Sequence, residues 1–245
     1  MKKVTLFMTC TLALASASQP AFAQKRSQPK PAIAKPVELV LQQSCPVPSG
    51  ETLVTVVTSK GNIEIALNMA KAPITAGNFM AYVDSKKMDG ASFYRAMRMG
   101  EVSGGEGLIQ GGQKDSSKLL PPIAHEPTTI TGLSNIKGAV SIARAAPGSA
   151  RSDFFIMTSD LVGLDSNPLA AGDKDGYAVF GRVVKGMDIV KAIYQDPIDP
   201  ALGPLTGQML AKPVEIVRVR KTPLLSADNP SCTSLPARTS ATKLR

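Results

Sequence analysis

The chain has 245 residues, of which 43% are hydrophobic, 19% charged and 4% aromatic, with a formal net charge of +9. That is enough apolar material for one sizeable core, built mostly from Val, Ile, Leu, Ala and Met because Trp is absent, and it argues against wholesale disorder. Three Cys exclude a disulfide-rich miniature scaffold, and the single His, His125, argues against multi-His zinc or iron sites and leaves one candidate base for Ser–His or Cys–His catalysis.

In chain order, Met1-Lys2-Lys3, an apolar run from Val4 to Ala17 and Ala21-Phe22-Ala23 read as a secretory signal peptide over 1–23. The run is too short to span a bilayer, and no later stretch of about 18 apolar residues follows, so membrane insertion of the mature chain is not expected. The plain Ala-rich core suits a bacterial signal, which predicts a periplasmic or secreted product. Residues 24–50 carry Pro29, Pro31, Pro36, Pro46 and Pro48 and read as an extended linker. One domain is expected over 51–225, then a flexible basic tail over 226–245. Cleavage removes Cys10 and leaves Cys45 and Cys232 on either side of the domain. In an oxidising compartment this pair is a disulfide candidate, worth about 5 kcal/mol in the chain-entropy model because the loop is long.

Inside the domain the pattern is mostly β. Leu53–Thr58 and Asn62–Leu67 flank Ser59-Lys60-Gly61, which predicts a hairpin. Pro73 opens a helix through Val83 with an apolar stripe of Phe79, Met80 and Val83. Short strands are expected at Ser92–Ala96, Leu108–Gly111, Ala139–Ala143, Phe154–Thr158 and Tyr177–Val184. A second helix follows from Gly186 to Tyr194, and a last strand from Val214 to Lys221. Many short strands with two isolated helices predict a mainly β fold, a closed barrel capped at its ends.

The obvious motifs fail. The glycines from Gly104 to Gly112 are not a phosphate loop, because Gln113 stands where Lys is required. Asp173-Lys174-Asp175-Gly176 lacks the distant Glu of a calcium loop, Val184 standing there instead. Many cations lie in the tails and no basic helix is interleaved with aromatics, so nucleic acid is not an expected partner. His125 precedes Glu126-Pro127 and reads as a solvated loop residue.

Four ordered segments remain: Ser92-Phe93-Tyr94-Arg95; Gly107-Leu108-Ile109-Gln110-Gly111-Gly112; Gly138 to Pro147 closed by Ser152-Asp153-Phe154-Phe155-Ile156; and Gly176 to Val183 before Gly186-Met187. From about Leu53 to Ile193 this series resembles the cyclophilin family of peptidyl-prolyl cis-trans isomerases. The resemblance implies a closed eight-stranded antiparallel β-barrel capped by two α-helices, with the substrate groove on the barrel's outer face. It implies that Arg95 and Gln110 are catalytic and that Phe93, Leu108, Ala143, Arg144, Phe155, Leu164 and Tyr177 bind substrate. Ala143 and Arg144 match the stretch whose backbone pairs with the bound peptide. The chain departs from the pattern at Gly107, which stands where a pocket aromatic is usual and so leaves one wall open. Arg144 and Asp153 replace frequent amides. The connections Ala96–Leu108 and Ser159–Gly176 are enlarged.

The chemistry implied needs no nucleophile, metal or cofactor. Resonance sets a barrier of about 18–20 kcal/mol to rotation of an X–Pro amide, and at the twisted state the prolyl nitrogen regains a lone pair. A donor aimed there strengthens only as the bond twists, which is the condition for catalysis. Expected partners are therefore proline-containing polypeptides, newly exported proteins in particular, met by a monomer. The rival reading is a non-catalytic chaperone or scaffold module that grips proline-bearing segments, and a Ser–His hydrolase built on His125 lacks a nucleophile-elbow sequence.

Overall fold

The computed structural model describes residues 50–98 and 107–223. Cys45, Cys232, the signal-peptide and linker segments through residue 49, and the tail from residue 224 lie outside the described residues, as does most of the Ala96–Leu108 connection.

Eight strands, all antiparallel, close into a barrel: β1 Glu51–Thr58, β2 Gly61–Asn68, β3 Ala91–Arg98, β4 Gly107–Gly112, β5 Ala139–Ile142, β6 Phe154–Met157, β7 Val179–Lys185 and β8 Met209–Lys221. Their order around the barrel is β1-β2-β7-β5-β6-β4-β3-β8. β1 and β2 form the expected hairpin, with Thr58 opposite Gly61 across Ser59-Lys60. Closure leaves no free edge, so the backbone N–H and C=O groups of short strands are paired without a partner chain.

Among the described residues three α-helices accompany the barrel: α1 Pro73–Asp84, the four-residue α2 Thr128–Thr131, and α3 Met187–Tyr194. Pro73 opens α1, where a missing N–H costs nothing. The buried Glu126 carboxylate accepts from Ile74 N–H at 3.0 Å, Thr75 N–H at 2.6 Å and the Thr75 hydroxyl at 2.6 Å. A negative group is thus set at the positive end of the helix, satisfying donors that have no intrahelical partner. Along α1, Phe79 lies 5.3 Å from both Phe154 and Phe180, ring centroid to ring centroid. From α3, Val190, Ile193 and Tyr194 join the same buried cluster, so both helices seal the barrel core.

The predicted elements are present, most with bounds within two residues of those expected, and two differences at strand starts matter for the site. β7 begins at Val179 rather than Tyr177, which leaves Tyr177 free to face outward. β8 begins at Met209 rather than Val214, because Leu210 to Pro213 follow no strict alternation and Pro213 masks the strand signal.

Alternation sorts the apolar side chains onto two faces. Ile109, Val140, Ile142, Phe154 and Ile156 point into the barrel. Leu108, Ala139, Phe155, Met157 and Val179 point out and form a second buried cluster with Leu161. Adjacent residues of one strand face opposite sides, so a run such as Phe154–Met157 is buried throughout only because the outer face is also covered. The cover is the segment after β6. Asp165 accepts from Asn135 N–H at 2.7 Å and Asn135 Nδ2 at 2.6 Å, and from the Ser134 hydroxyl. Tyr177 N–H donates to Leu164 carbonyl at 2.9 Å. Gly176 sits between them with φ +59, where a Cβ would lie 2.5 Å from the Asp165 backbone and 2.6 Å from the Leu164 carbonyl. Only glycine takes that turn.

Candidate active site

The site is built on a break in the alternation of β3. Strict period two would put Phe93 and Arg95 on one face. Instead Phe93 pairs with Gly111 and Arg95 with Gln110, so Tyr94 is an extra residue, a β-bulge. Before the bulge, Phe93 points inward, fully buried, its ring 5.6 Å from that of Phe154. After it, Ala96 points inward, and Tyr94 and Arg95 are both left half-buried on the outer face. The expectation that Phe93 binds substrate is therefore corrected, since its ring is barrel core and does not reach the groove.

On the outer face Arg95, Met97, Leu108, Gln110, Ala143, Arg144, Phe155, Leu164 and Tyr177 line one cavity of about 140 Å³. At roughly 30 Å³ per water molecule, that is space for a small ring. Every sequence-predicted site residue except Phe93 is present in it. Phe155 and Tyr177 meet edge to face, 5.2 Å between centroids and 81° between planes. Gly107 leaves no hole in the wall. A Cβ there would lie 1.9 Å from the Met97 carbonyl, so no side chain is admitted, and Met97 itself lines the cavity beside Leu108.

Arg95 is held from two sides. Its Nη1 donates to Gln110 Oε1 at 2.6 Å. Its Nε and Nη2 both donate to Gln208 Oε1, at 2.9 and 2.5 Å. Gln110 Nε2 donates to the Tyr94 hydroxyl at 2.8 Å, and that hydroxyl donates to Asp153 Oδ1 at 3.0 Å. Each donor in this chain thereby finds an acceptor, which fixes which end of the Gln110 amide faces the guanidinium. Burial raises the Tyr94 pKa, and the adjacent Asp153 charge raises it further, so the phenol stays a neutral donor. Burial lowers the Arg95 pKa, against the opposing influence of Tyr94 and Tyr177; an arginine so placed remains a cation at neutral pH.

Arg144, exposed by only 2% at its side chain, pairs with Asp173 at 2.7 Å, donates from Nε to the Gly176 carbonyl at 3.1 Å, and lies 5.1 Å from the Tyr177 ring centroid. Its charge is thus committed to the loop carrying Leu164 and Tyr177. His125 is half-buried rather than solvated, with Nε2 2.9 Å from the Asp175 carbonyl. Sequence reasoning missed Gln208, Met97 and Asp173. The first two had no local signal, and Asp173 was read only as a false calcium ligand.

A larger cavity of about 530 Å³ lies elsewhere, lined by residues including Lys60, Asp196, Pro197 and Pro213. There Lys60 and Asp196 pair with each other. Among the described residues no cluster of His, Cys, Asp or Glu is placed to hold a metal ion.

Residues 53–221 match the family model described as cyclophilin type peptidyl-prolyl cis-trans isomerase. Peptidyl-prolyl cis-trans isomerase A of Dickeya dadantii is 41% identical over 146 residues, covering 59% of this chain and 72% of the relative. A peptidyl-prolyl cis-trans isomerase of Acinetobacter baylyi is 40% identical over 148 residues, covering 60% of this chain and 73% of the relative. A crystal structure of a Cryptosporidium parvum cyclophilin type isomerase superposes with a TM-score of 0.52 at 18% identity, over 70% of this chain and 97% of that one. The same Cryptosporidium protein in the presence of the dipeptide Ala-Pro gives 0.50 at 20% identity, over 69% of this chain and 98% of that one. These likenesses show the shared barrel, and with the family match they establish that the chain belongs to the cyclophilin-type peptidyl-prolyl cis-trans isomerases.

Proposed function

We propose that this chain accelerates rotation about X–Pro bonds without a covalent intermediate, with Arg95 donating to the prolyl nitrogen as the amide twists. The observation that carries the reading is the half-buried Arg95 guanidinium beside an apolar cleft lined by Leu108, Phe155 and Leu164. A guanidinium has five N–H groups, and three of them are engaged by Gln110 and Gln208. One on each Nη remains for a substrate. The proline ring seats against Phe155 and Leu108, which holds one half of the substrate while the other half turns. Gln110 orients the guanidinium. A charge-assisted hydrogen bond contributes about 1.5–3 kcal/mol. Two such contacts with ring anchoring supply about 5–7 kcal/mol, or roughly 10⁴–10⁵ in rate.

The substrate chain continues into an adjoining depression of about 300 Å³, which shares Gln110, Ala143 and Arg144 with the cleft and extends to Ser149, Arg151 and Asp153. Ala143 N–H already donates to the Asp153 carbonyl at 2.7 Å, so that residue offers its own carbonyl to a bound peptide.

The N-terminal pattern supports export to a periplasm, with the isomerase domain over 51–225. Spontaneous X–Pro isomerisation takes tens of seconds, so newly exported chains are the natural substrates. The test is catalysed isomerisation of a proline peptide by wild-type and Arg95→Ala protein. Clear wild-type activity and a loss of tenfold or more in kcat/KM, about 1.4 kcal/mol, are expected. Equal activity overturns the role of Arg95, and an inactive wild type that binds the peptide makes the chain a proline-binding scaffold.

A further inference from the structure

We propose that Gln208 is a positioning residue for the Arg95 guanidinium, an inference that rests on the catalytic reading of Arg95. The two residues are 113 positions apart in sequence, and the fold brings them together through an offset in strand pairing. Phe93 pairs with Val214 of β8, yet Arg95, two residues on, pairs with Met209, five residues back. The extra length in β8 carries the residue before Met209 alongside the start of the cleft.

Gln208 is anchored through its own backbone. Its N–H donates to the Leu205 carbonyl at 3.0 Å and its carbonyl accepts from Ala96 N–H at 2.9 Å. The backbone on both sides of the residue is therefore fixed, and its half-buried side chain reaches the Arg95 guanidinium. The single acceptor Oε1 receives the fork formed by Arg95 Nε and Nη2. A guanidinium is planar, so a fork bond at one edge and a second bond from Nη1 to Gln110 determine both the plane and its rotation. One anchor alone would leave the group free to swing about the Gln110 contact. With two, the remaining N–H groups point along a fixed line, which is what a donor to a transient lone pair requires.

Removing Gln208 should therefore cost turnover and leave ground-state binding nearly intact. The experiment compares the full chain as wild type, Gln208→Ala, Arg95→Ala and the double variant in a proline-peptide isomerisation assay, with the nitrogen-15 resonance of Arg95 Nε–H followed by NMR. Gln208→Ala should lower kcat roughly five- to tenfold with KM within about twofold, because the forked contact to the guanidinium is lost while the Gln110 contact remains. It should cause no further loss in the Arg95→Ala background, and the Nε–H signal, protected from solvent exchange in wild type, should become exchangeable. Full kcat in Gln208→Ala, a loss that persists without Arg95, or a wild-type Nε–H that already exchanges freely would overturn the proposal. Full activity of Arg95→Ala would instead overturn the catalytic reading, while the exchange of Nε–H still decides whether Gln208 holds the side chain.

Discussion

The inner and outer faces of β4 and β6 are made from alternate residues of the same short segments, yet they do different work. Inward, Ile109, Phe154 and Ile156 join an apolar core shared with both longer helices. Outward, Leu108, Phe155 and Met157 form a thinner apolar layer that ends at Gln110, Arg95 and Tyr94, where direction matters as much as contact. Packing in the barrel is supported from every side, so damage there is lost stability. Damage outside should be lost turnover on an intact fold.

Substitution of the adjacent phenylalanines separates the faces most sharply. Phe154→Ala opens a cavity against Phe79 and Phe93 and should cost about 3–5 kcal/mol, lowering Tm by roughly 6–20 °C in a thermal melt. Phe155→Ala removes one wall of the cleft. It should lower Tm less than its neighbour does, and reduce kcat/KM about tenfold through a weaker hold on the proline ring. If both variants lose the same stability and the same activity, the division between faces is wrong.

The smallest expected effect is at the rim. Hydrogen bonding from Arg144 lowers the Asp173 pKa, against an opposing contribution from burial. A carboxyl depressed in the folded state adds stability above its ordinary pKa near 3.9, and that contribution fades as pH falls through the lower folded value. Asp173 is 44% exposed, so screening keeps the contribution below about 1 kcal/mol. Asp173→Asn should therefore shift Tm by only a few degrees at pH 7, and the difference from wild type should shrink as pH falls below the ordinary carboxylate range. A gap that widens toward acid would contradict the pairing.

How much of this was visible in the sequence follows the same boundary. The interior was legible because short β-branched and apolar runs bounded by turn residues mark β1, β2, β5 and β6, and because Pro73 and the apolar stripe mark α1. The cleft was legible through the family resemblance, whose motifs carry Arg95 on β3, Leu108 and Gln110 on β4, and Phe155 on β6 opposite Gln110. Phe93 was misplaced because nothing in Ser92-Phe93-Tyr94-Arg95 announces that Tyr94 is bulged out of register. That depends on how many residues β4 and β8 offer opposite it. Gln208 lies in a turn rich in Gly and Pro whose only local message is a change of direction. The partner of Arg144 was hidden for the same reason, since Asp173 becomes meaningful only when a 29-residue separation is closed in space.

The most direct measurement is exchange NMR on an Ala-Pro-containing peptide with wild-type and Arg95→Lys protein, reading binding and cis–trans exchange in the same sample. Lysine keeps the charge and loses the planar fork. The account predicts a peptide that still binds, within about threefold of the wild-type Kd, but whose catalysed exchange slows by tenfold or more. Exchange at the wild-type rate would show that an oriented guanidinium is not what turns the bond.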